Sequence, residues 1–241
     1  MAHCSLQACR ALLSREELEQ ERRFHFDHDR IRFLITRAMS RLTLSRYSPI
    51  LPEEWRFTSN RFGRPEIQND SAAAQGISFN ISHTRELVAV AVGRHMQLGV
   101  DVENSLRRAA PIDVASHFFS RREADDLLAL PSESQSQRFY EFWTLKEAYI
   151  KARGMGLSLP IDKFSFDFSQ PGQIEFFTHA ALADRACNWR FWQYQVSGEY
   201  LLALCADTKQ DFQNVLLRRT YPFCDHDEPL NYRLLRHSPP T

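Results

Sequence analysis

What this sequence lacks narrows its function before any motif is read. It has no excess of charge: 30 lysine and arginine residues balance 30 aspartate and glutamate residues. No broad electrostatic field therefore calls for nucleic acid or an anionic membrane as the main partner, and any anion site must be local. It has no usable cysteine pattern either. Cys4, Cys9, Cys187, Cys205 and Cys224 are odd in number and scattered, with no two spaced for zinc or a redox dithiol, which fits a reducing compartment. The longest apolar run, Leu87 to Val92, is far short of the ~20 residues that span a bilayer. The opening Met1-Ala2-His3-Cys4-Ser5 has no basic segment followed by an apolar one, as a secretory signal needs. These absences predict a cytoplasmic protein without nucleic acid or membrane partners.

What is present is an ordinary globular composition. The 241 residues, 43% hydrophobic and 12% aromatic, can bury one large core or two small ones. Ser14 and Glu17 form a capping-box pattern that starts a short polar helix. A stronger helix is predicted from Asp27 to Leu44, with Ile31, Leu34, Ile35, Ala38, Met39 and Leu42 as its apolar stripe. Strand-like segments follow at 55–57, 77–81, 87–92 and 98–102, read as an antiparallel meander beside that helix. After Glu103 the order restarts. Helices are predicted near 112–118 and 120–130, the second opened by Ser120 and Glu123, then a long helix to Gly154. Alternating Phe164, Phe166 and Phe168 and segments at 174–177, 189–195 and 200–205 read as strands. No residue-level repeat exists, but helix-then-strands occurs twice, which supports two similar α+β halves, 1–108 and 109–208, each a helix packed on a small, mainly antiparallel sheet. Residues 209–241 read as an extension, a short helix and a proline-containing tail.

The chemistry gathers on the long helix and one strand. Trp143, Glu147 and Lys151 lie four apart along one ridge, with Lys146 alongside. A solvated Glu-to-Lys pair, stabilising by only ~0.2–0.5 kcal/mol, is the plain alternative. In Gly99-Val100-Asp101-Val102-Glu103, the two carboxylates share one strand face, within ~7 Å by strand geometry. Like charges held together suggest a hard divalent cation, and magnesium takes one or two carboxylates plus water and substrate phosphates. Ser82 and His83 end a strand; with no G-x-S-x-G elbow they fit phosphate contacts better than a nucleophilic pair. Arg61 to Pro65 reads as a turn whose arginines could hold an anion, as could Arg32 near Asp29.

Gly63-Arg64-Pro65, Phe79-Asn80-Ile81-Ser82-His83, Gly99-Val100-Asp101-Val102-Glu103 and Trp143-Thr144-Leu145-Lys146-Glu147-Ala148-Tyr149-Ile150-Lys151 stand in this order. Together they resemble the 4′-phosphopantetheinyl transferases of the surfactin-synthetase-activating type, over roughly residues 15–206. The resemblance implies a monomeric pseudodimer of two α+β halves with coenzyme A in the cleft between them. It implies transfer of the phosphopantetheine arm to a serine of an acyl, peptidyl or aryl carrier protein, with release of adenosine 3′,5′-bisphosphate. Magnesium on Asp101, Glu103 and Glu147, contacts to coenzyme A by Lys146, Lys151, His83, Arg64, Pro65, Ser82 and Arg32, and Glu147 as base follow from it, with Asp101 and Lys151 as further catalytic groups. Arg64 stands where many relatives have lysine. The segment from His117 to Arg122 is where the family pattern puts the carrier, with Arg121 and Arg122 suited to its acidic surface. Two other readings use the same residues: a magnesium-dependent hydrolase, marked by bisphosphate release without a carrier, and a non-catalytic carrier-binding module, which would have no need of the three carboxylates.

Overall fold

The computed structural model describes residues 5–107, 109–207 and 215–239. The capping box forms as read: Ser14 Oγ accepts from Glu17 N–H, the Glu17 carboxylate accepts from Ser14 N–H, and helix α2 (Arg15–Arg22) starts there. A helix not anticipated, α1 (Leu6–Ala11), precedes it. Helix α3 (Asp27–Ser45) buries Leu34 and Ala38 against Cys9 and Leu13, and Leu44 against Trp55, Ile77 and Phe79; of the expected stripe Met39 is also buried but Ile31 is exposed, and Thr36, Ser40 and Arg41 lie on the buried side. Strands β1 (Phe57–Ser59) and β2 (Pro65–Ile67) make one antiparallel hairpin, and β3 (Ile77–His83) and β4 (Val88–Arg94) another.

The second half repeats this make-up. Short helix α4 (Ala115–Phe118) leads to α5 (Arg121–Ala129), opened by the Ser120–Glu123 capping box. Helix α6 (Ser132–Arg153) ends at Gly154, whose φ of 62° lets its N–H close on Ile150 O and Lys151 O. Strands β6 (Phe164–Asp167) and β7 (Glu175–Thr178) pair, and β8 (Trp189–Val196) pairs with β9 (Tyr200–Asp207). Phe164, Phe166, Phe191, Phe142, Leu145 and Tyr149 fill the largest core, around α6.

Strand β5 (Leu98–Asn104) departs from the expected meander. It leaves β4 and pairs antiparallel with β9 of the other half, from Leu98↔Ala206 to Asn104↔Tyr200. On its other side it runs beside β3, bridged by side chains: Val100 N–H donates to Asn80 Oδ1 (2.9 Å) and Val102 N–H to Ser82 Oγ (3.3 Å). The two halves thus share a backbone ladder. The extension also belongs to the fold, because β10 (Tyr232–His237) adds to β8 while Val215, Leu217 and Leu230 pack near Val100, Val102 and Tyr200. The helix expected there falls in part on residues 208–214, outside the described residues. None of the described cysteines forms a disulfide. No helix of the described residues is long and apolar enough to cross a membrane.

The β5–α6 approach is set by one residue. A Cβ at Gly99 would lie 2.0 Å from Ala148 O and 2.4 Å from Ala152 N, both backbone atoms of α6. Gly99→Ala is therefore expected to force strand and helix apart, at ~1–3 kcal/mol or more for overpacking. Thermal melting checks this; a variant that melts with the wild type would show that the two elements separate freely.

Candidate active site

Gly99, Asp101 and Glu103 share the face of β5 turned to α6, so closing the two elements carries Trp143, Glu147 and Lys151 of the helix to the carboxylates. Lys151 Nζ lies 2.6 Å from Asp101 Oδ1 and donates to Ser82 Oγ at 2.8 Å. Ser82 Oγ in turn donates to the same Asp101 oxygen at 2.9 Å. Asp101 is only 4% exposed, and its Oδ2 is buried without a hydrogen-bond partner. The plain reading of these carboxylates as a solvated strand face is thereby excluded for Asp101.

Electrostatics mark the neighbours. Burial, then the Asp101 charge, pushes Glu103 up to about 7, against the opposing pull of Lys151 and the Trp143 indole. Glu147 is raised for the same first two reasons, burial and Asp101, and lowered by Lys151. His83 stands at the strand end, where desolvation and then the Arg32 charge hold its pKa below the ordinary imidazole value, with Lys151 adding to the effect. Arg32 itself is held by Asp29 at 2.5 Å.

Two expected residues are not brought into this constellation. Lys146 lies one residue, or about 100°, around the helix from Glu147, and its side chain is 0% exposed. Its ammonium pairs with Glu123 at 2.9 Å, donates to Ile161 O and Phe164 O, and sits over the Phe164 ring. It is a core residue, out of reach of a phosphate. Arg64 is committed to the protein backbone: Nη1 donates to Lys151 O (2.9 Å) and Ala152 O (2.6 Å), and Nη2 to Leu98 O (3.2 Å). This guanidinium closes the end of α6 and ties it to β5, so the coenzyme A contact expected of it is not available as it stands. Pro65 begins β2, paired with Ser59. Arg121 is exposed beside Asp125, and Arg122 pairs with Asp167 and lies over Phe177.

Some residues that shape the site carried no chemical signal. Asn80, 3% exposed, bridges β3 to β5. Asn60 accepts from the N–H groups of Phe62 and Arg64 and donates to Gly154 O at 2.9 Å, pinning the β1–β2 turn to the end of α6. An Asn before a Gly-containing turn is the usual local cue for such bonds. Beside Glu103 opens a cavity of about 550 Å³, walled by Phe118, Phe139, Tyr140 and Trp143 and edged by Thr84, Arg85, Glu86, Asn104 and Arg107. Glu86 and Arg107 pair at its rim at 3.0 Å.

Among the described residues, no group of three or more His, Cys, Asp and Glu side chains is arranged to hold a metal ion. The donor chemistry nevertheless suits a hard cation: an unpartnered buried Asp101 oxygen beside two carboxyls whose ionisation Asp101 opposes.

Comparison with known proteins places the chain in a family. The model of the 4′-phosphopantetheinyl transferase superfamily matches residues 97–205, and that of the N-terminal part of a 4′-phosphopantetheinyl transferase matches residues 2–95. The chain is 33% identical over 196 residues to the 4′-phosphopantetheinyl transferase Sfp of Bacillus subtilis, covering 81% of this chain and 83% of Sfp. It is 38% identical over 154 residues to the 4′-phosphopantetheinyl transferase HetI of Nostoc, 64% of each chain. The chain belongs to the 4′-phosphopantetheinyl transferase superfamily.

Two measurements test the electrostatic assignments. Glu103 keeps its proton in the folded state up to about 7, against 4.5 for the free group. In that window the folded state binds more protons, so stability falls as pH rises. In chelator-containing buffer, the wild type is expected to lose melting temperature relative to Glu103→Gln between about pH 5 and about pH 8; parallel curves would show an unperturbed carboxyl. Lys146→Met, which strands a buried Glu123, is expected to cost ~3–5 kcal/mol in denaturant unfolding. Much of that should return in Lys146→Met/Glu123→Gln, and a stable single variant would return Lys146 to the cleft.

Proposed function

We infer that this protein transfers the 4′-phosphopantetheine group of coenzyme A to a serine of apo carrier proteins, acyl, peptidyl or aryl, as a cytoplasmic monomer. The observation that carries this reading is the Lys151–Asp101–Ser82 contact beside Glu103 and Glu147, in a chain of this superfamily. Both walls of the cleft come from one chain, β3 and β5 from one half and α6 from the other, which supports a monomer.

In the reaction, the carrier serine oxygen bonds to the pantetheine-side phosphorus as that phosphorus parts from the bridging oxygen of the diphosphate. The bridging oxygen leaves on adenosine 3′,5′-bisphosphate. Glu147 accepts the serine proton; its raised pKa brings it towards the range where a carboxylate is an effective base near neutrality. Lys151 offers its ammonium to the diphosphate, and His83, neutral because its pKa is depressed, offers an N–H to a phosphate oxygen with Arg32 behind it. Asp101, Glu103 and Glu147 would hold a magnesium ion, which when bound offsets the charge that builds on the diphosphate. The aromatic-walled cavity at Glu103 would take the pantetheine arm, largely apolar with amides that Thr84, Asn104 and Arg85 could meet. Arg121 and Arg122 on α5 would attract an acidic carrier surface.

Mass spectrometry of a panel of apo carriers incubated with protein, coenzyme A and magnesium is expected to show one phosphopantetheine gained per carrier. Asp101→Ala and Glu147→Ala should each lower transfer by ~10²–10⁴-fold while circular dichroism stays native. Steady bisphosphate release without a carrier would make water the acceptor, and transfer at wild-type rates by either variant would remove its residue from the chemistry.

A further inference from the structure

We propose that Lys151 is a placeholder for the divalent cation: its ammonium fills the cation position on Asp101 in the free protein and is exchanged for the metal when a diphosphate arrives to receive it. The inference rests on reading the cleft as a site for coenzyme A with a divalent cation, and it adds an order to their binding.

The geometry is specific. Asp101 Oδ1 accepts from Lys151 Nζ at 2.6 Å and from Ser82 Oγ at 2.9 Å, while Oδ2 has no partner. Magnesium binds carboxylate oxygen at ~2.0–2.1 Å and keeps a near-octahedral shell of further oxygens. An ammonium 2.6 Å from Oδ1 crowds the shell of a cation taken up by the neighbouring Oδ2, and it carries like charge. Metal alone must therefore displace a partly buried ion pair with nothing to receive the lysine, and that is costly. A diphosphate changes the balance. Lys151 sits in the last turn of α6 on a flexible stem, its side chain 26% exposed, so its head group can leave Asp101 for a phosphate oxygen without moving the backbone. Ser82 stays behind to hold the vacated carboxylate, since its Oγ is also fixed by Val102 N–H. The ammonium passes from carboxylate to phosphate as the cation passes from water to carboxylate. Each ligand thereby removes the obstacle to the other, and the coupling is reciprocal.

Binding of Mn²⁺ alone, followed by electron paramagnetic resonance of the free ion, tests this without any transfer reaction. Wild-type protein is expected to bind Mn²⁺ weakly, and Lys151→Met about tenfold tighter or more. Saturating coenzyme A, with its own Mn²⁺ binding subtracted, should tighten the wild type by a comparable factor and Lys151→Met far less. Lys151→Gln, which removes the charge but keeps a donor for Ser82, should behave like Lys151→Met and serves if that variant fails to fold. Adding Asp101→Asn should abolish the gain in either background. Equal Mn²⁺ affinity in wild type and both lysine variants would overturn the proposal, as would a gain that survives Asp101→Asn. A protein that modifies carriers without this linkage would keep its transferase function and lose the exchange. One that shows the linkage but modifies no carrier would keep the exchange and lose the function.

Discussion

The contact between Gly99 and the backbone of α6 is the constraint on which the site depends. Without a side chain there, β5 lies against the helix at a distance no other residue would permit. Asp101 and Glu103, two and four residues further on, then meet Lys151, Glu147 and Trp143. Arg64 reinforces the same junction, giving its guanidinium to two carbonyls at the C-terminal, electronegative end of α6 and to Leu98 O on β5. Asn60 adds a bond to Gly154 O. Strand, helix end and turn are therefore fixed relative to one another within one small region, and the side chains of the candidate site inherit that precision.

The two lysines of α6 show how similar charges are put to different ends. Lys146 is fully enclosed, and each hydrogen-bonding partner around it is supplied: Glu123, two carbonyls and an aromatic face. Glu123 is equally engaged, its other oxygen accepting from Phe166 N–H at 3.0 Å and its carboxylate closing the cap of α5. A buried pair satisfied this completely fixes the position of α5 and β6 against α6 and has little freedom to act. Lys151, five residues on, has one foot in the cleft, and its carboxylate partner keeps an oxygen in reserve. Incomplete satisfaction in a buried site is costly, and it is found here where binding can relieve it.

Much of this was legible in local patterns. Both capping boxes, the Phe164 and Phe166 alternation of β6 and the glycine stop of α6 depend on near neighbours, and each formed as read, whereas the stripe of α3 held only in part, with Ile31 exposed and Arg41 buried. The carboxylate face of β5 and the ridge of α6 were likewise readable, because period and pitch fix which side chains share a side. What could not be read depends on distant pairing. That β5 would leave β4 for β9, and that Tyr232 to His237 would complete the sheet, are matters of register between segments far apart in sequence. Lys146 misled because α6, from Phe139 to Ala152, is buried on every side but the Trp143–Glu147–Lys151 ridge. When most of a helix is buried, a charged residue no longer marks the solvent side, and only the partner, here Glu123, shows where it faces. Arg64 misled for a related reason, since a stiffly presented guanidinium suits a carbonyl cluster as well as a phosphate.

Three carboxylates on facing elements pose a problem that the free protein solves without a metal. Asp101 is compensated by Lys151 and a hydroxyl, whereas Glu103 and Glu147 have their ionisation suppressed by burial and by Asp101. The formal charge of the cleft is thus only partly expressed at neutral pH. In the proposed reaction a cation and a diphosphate arriving together would bring opposite charges of comparable size, and so would draw out the remaining carboxylate charge and give the lysine a new partner with little net change of charge in the cleft. Either alone would leave an uncompensated charge in a partly dry site, which is the costly condition. The arrangement that looks strained in isolation is therefore the one that would favour the proposed joint binding, and under the proposed reaction it leaves Glu147, its proton affinity raised by burial and by Asp101, to accept the proton from an incoming hydroxyl.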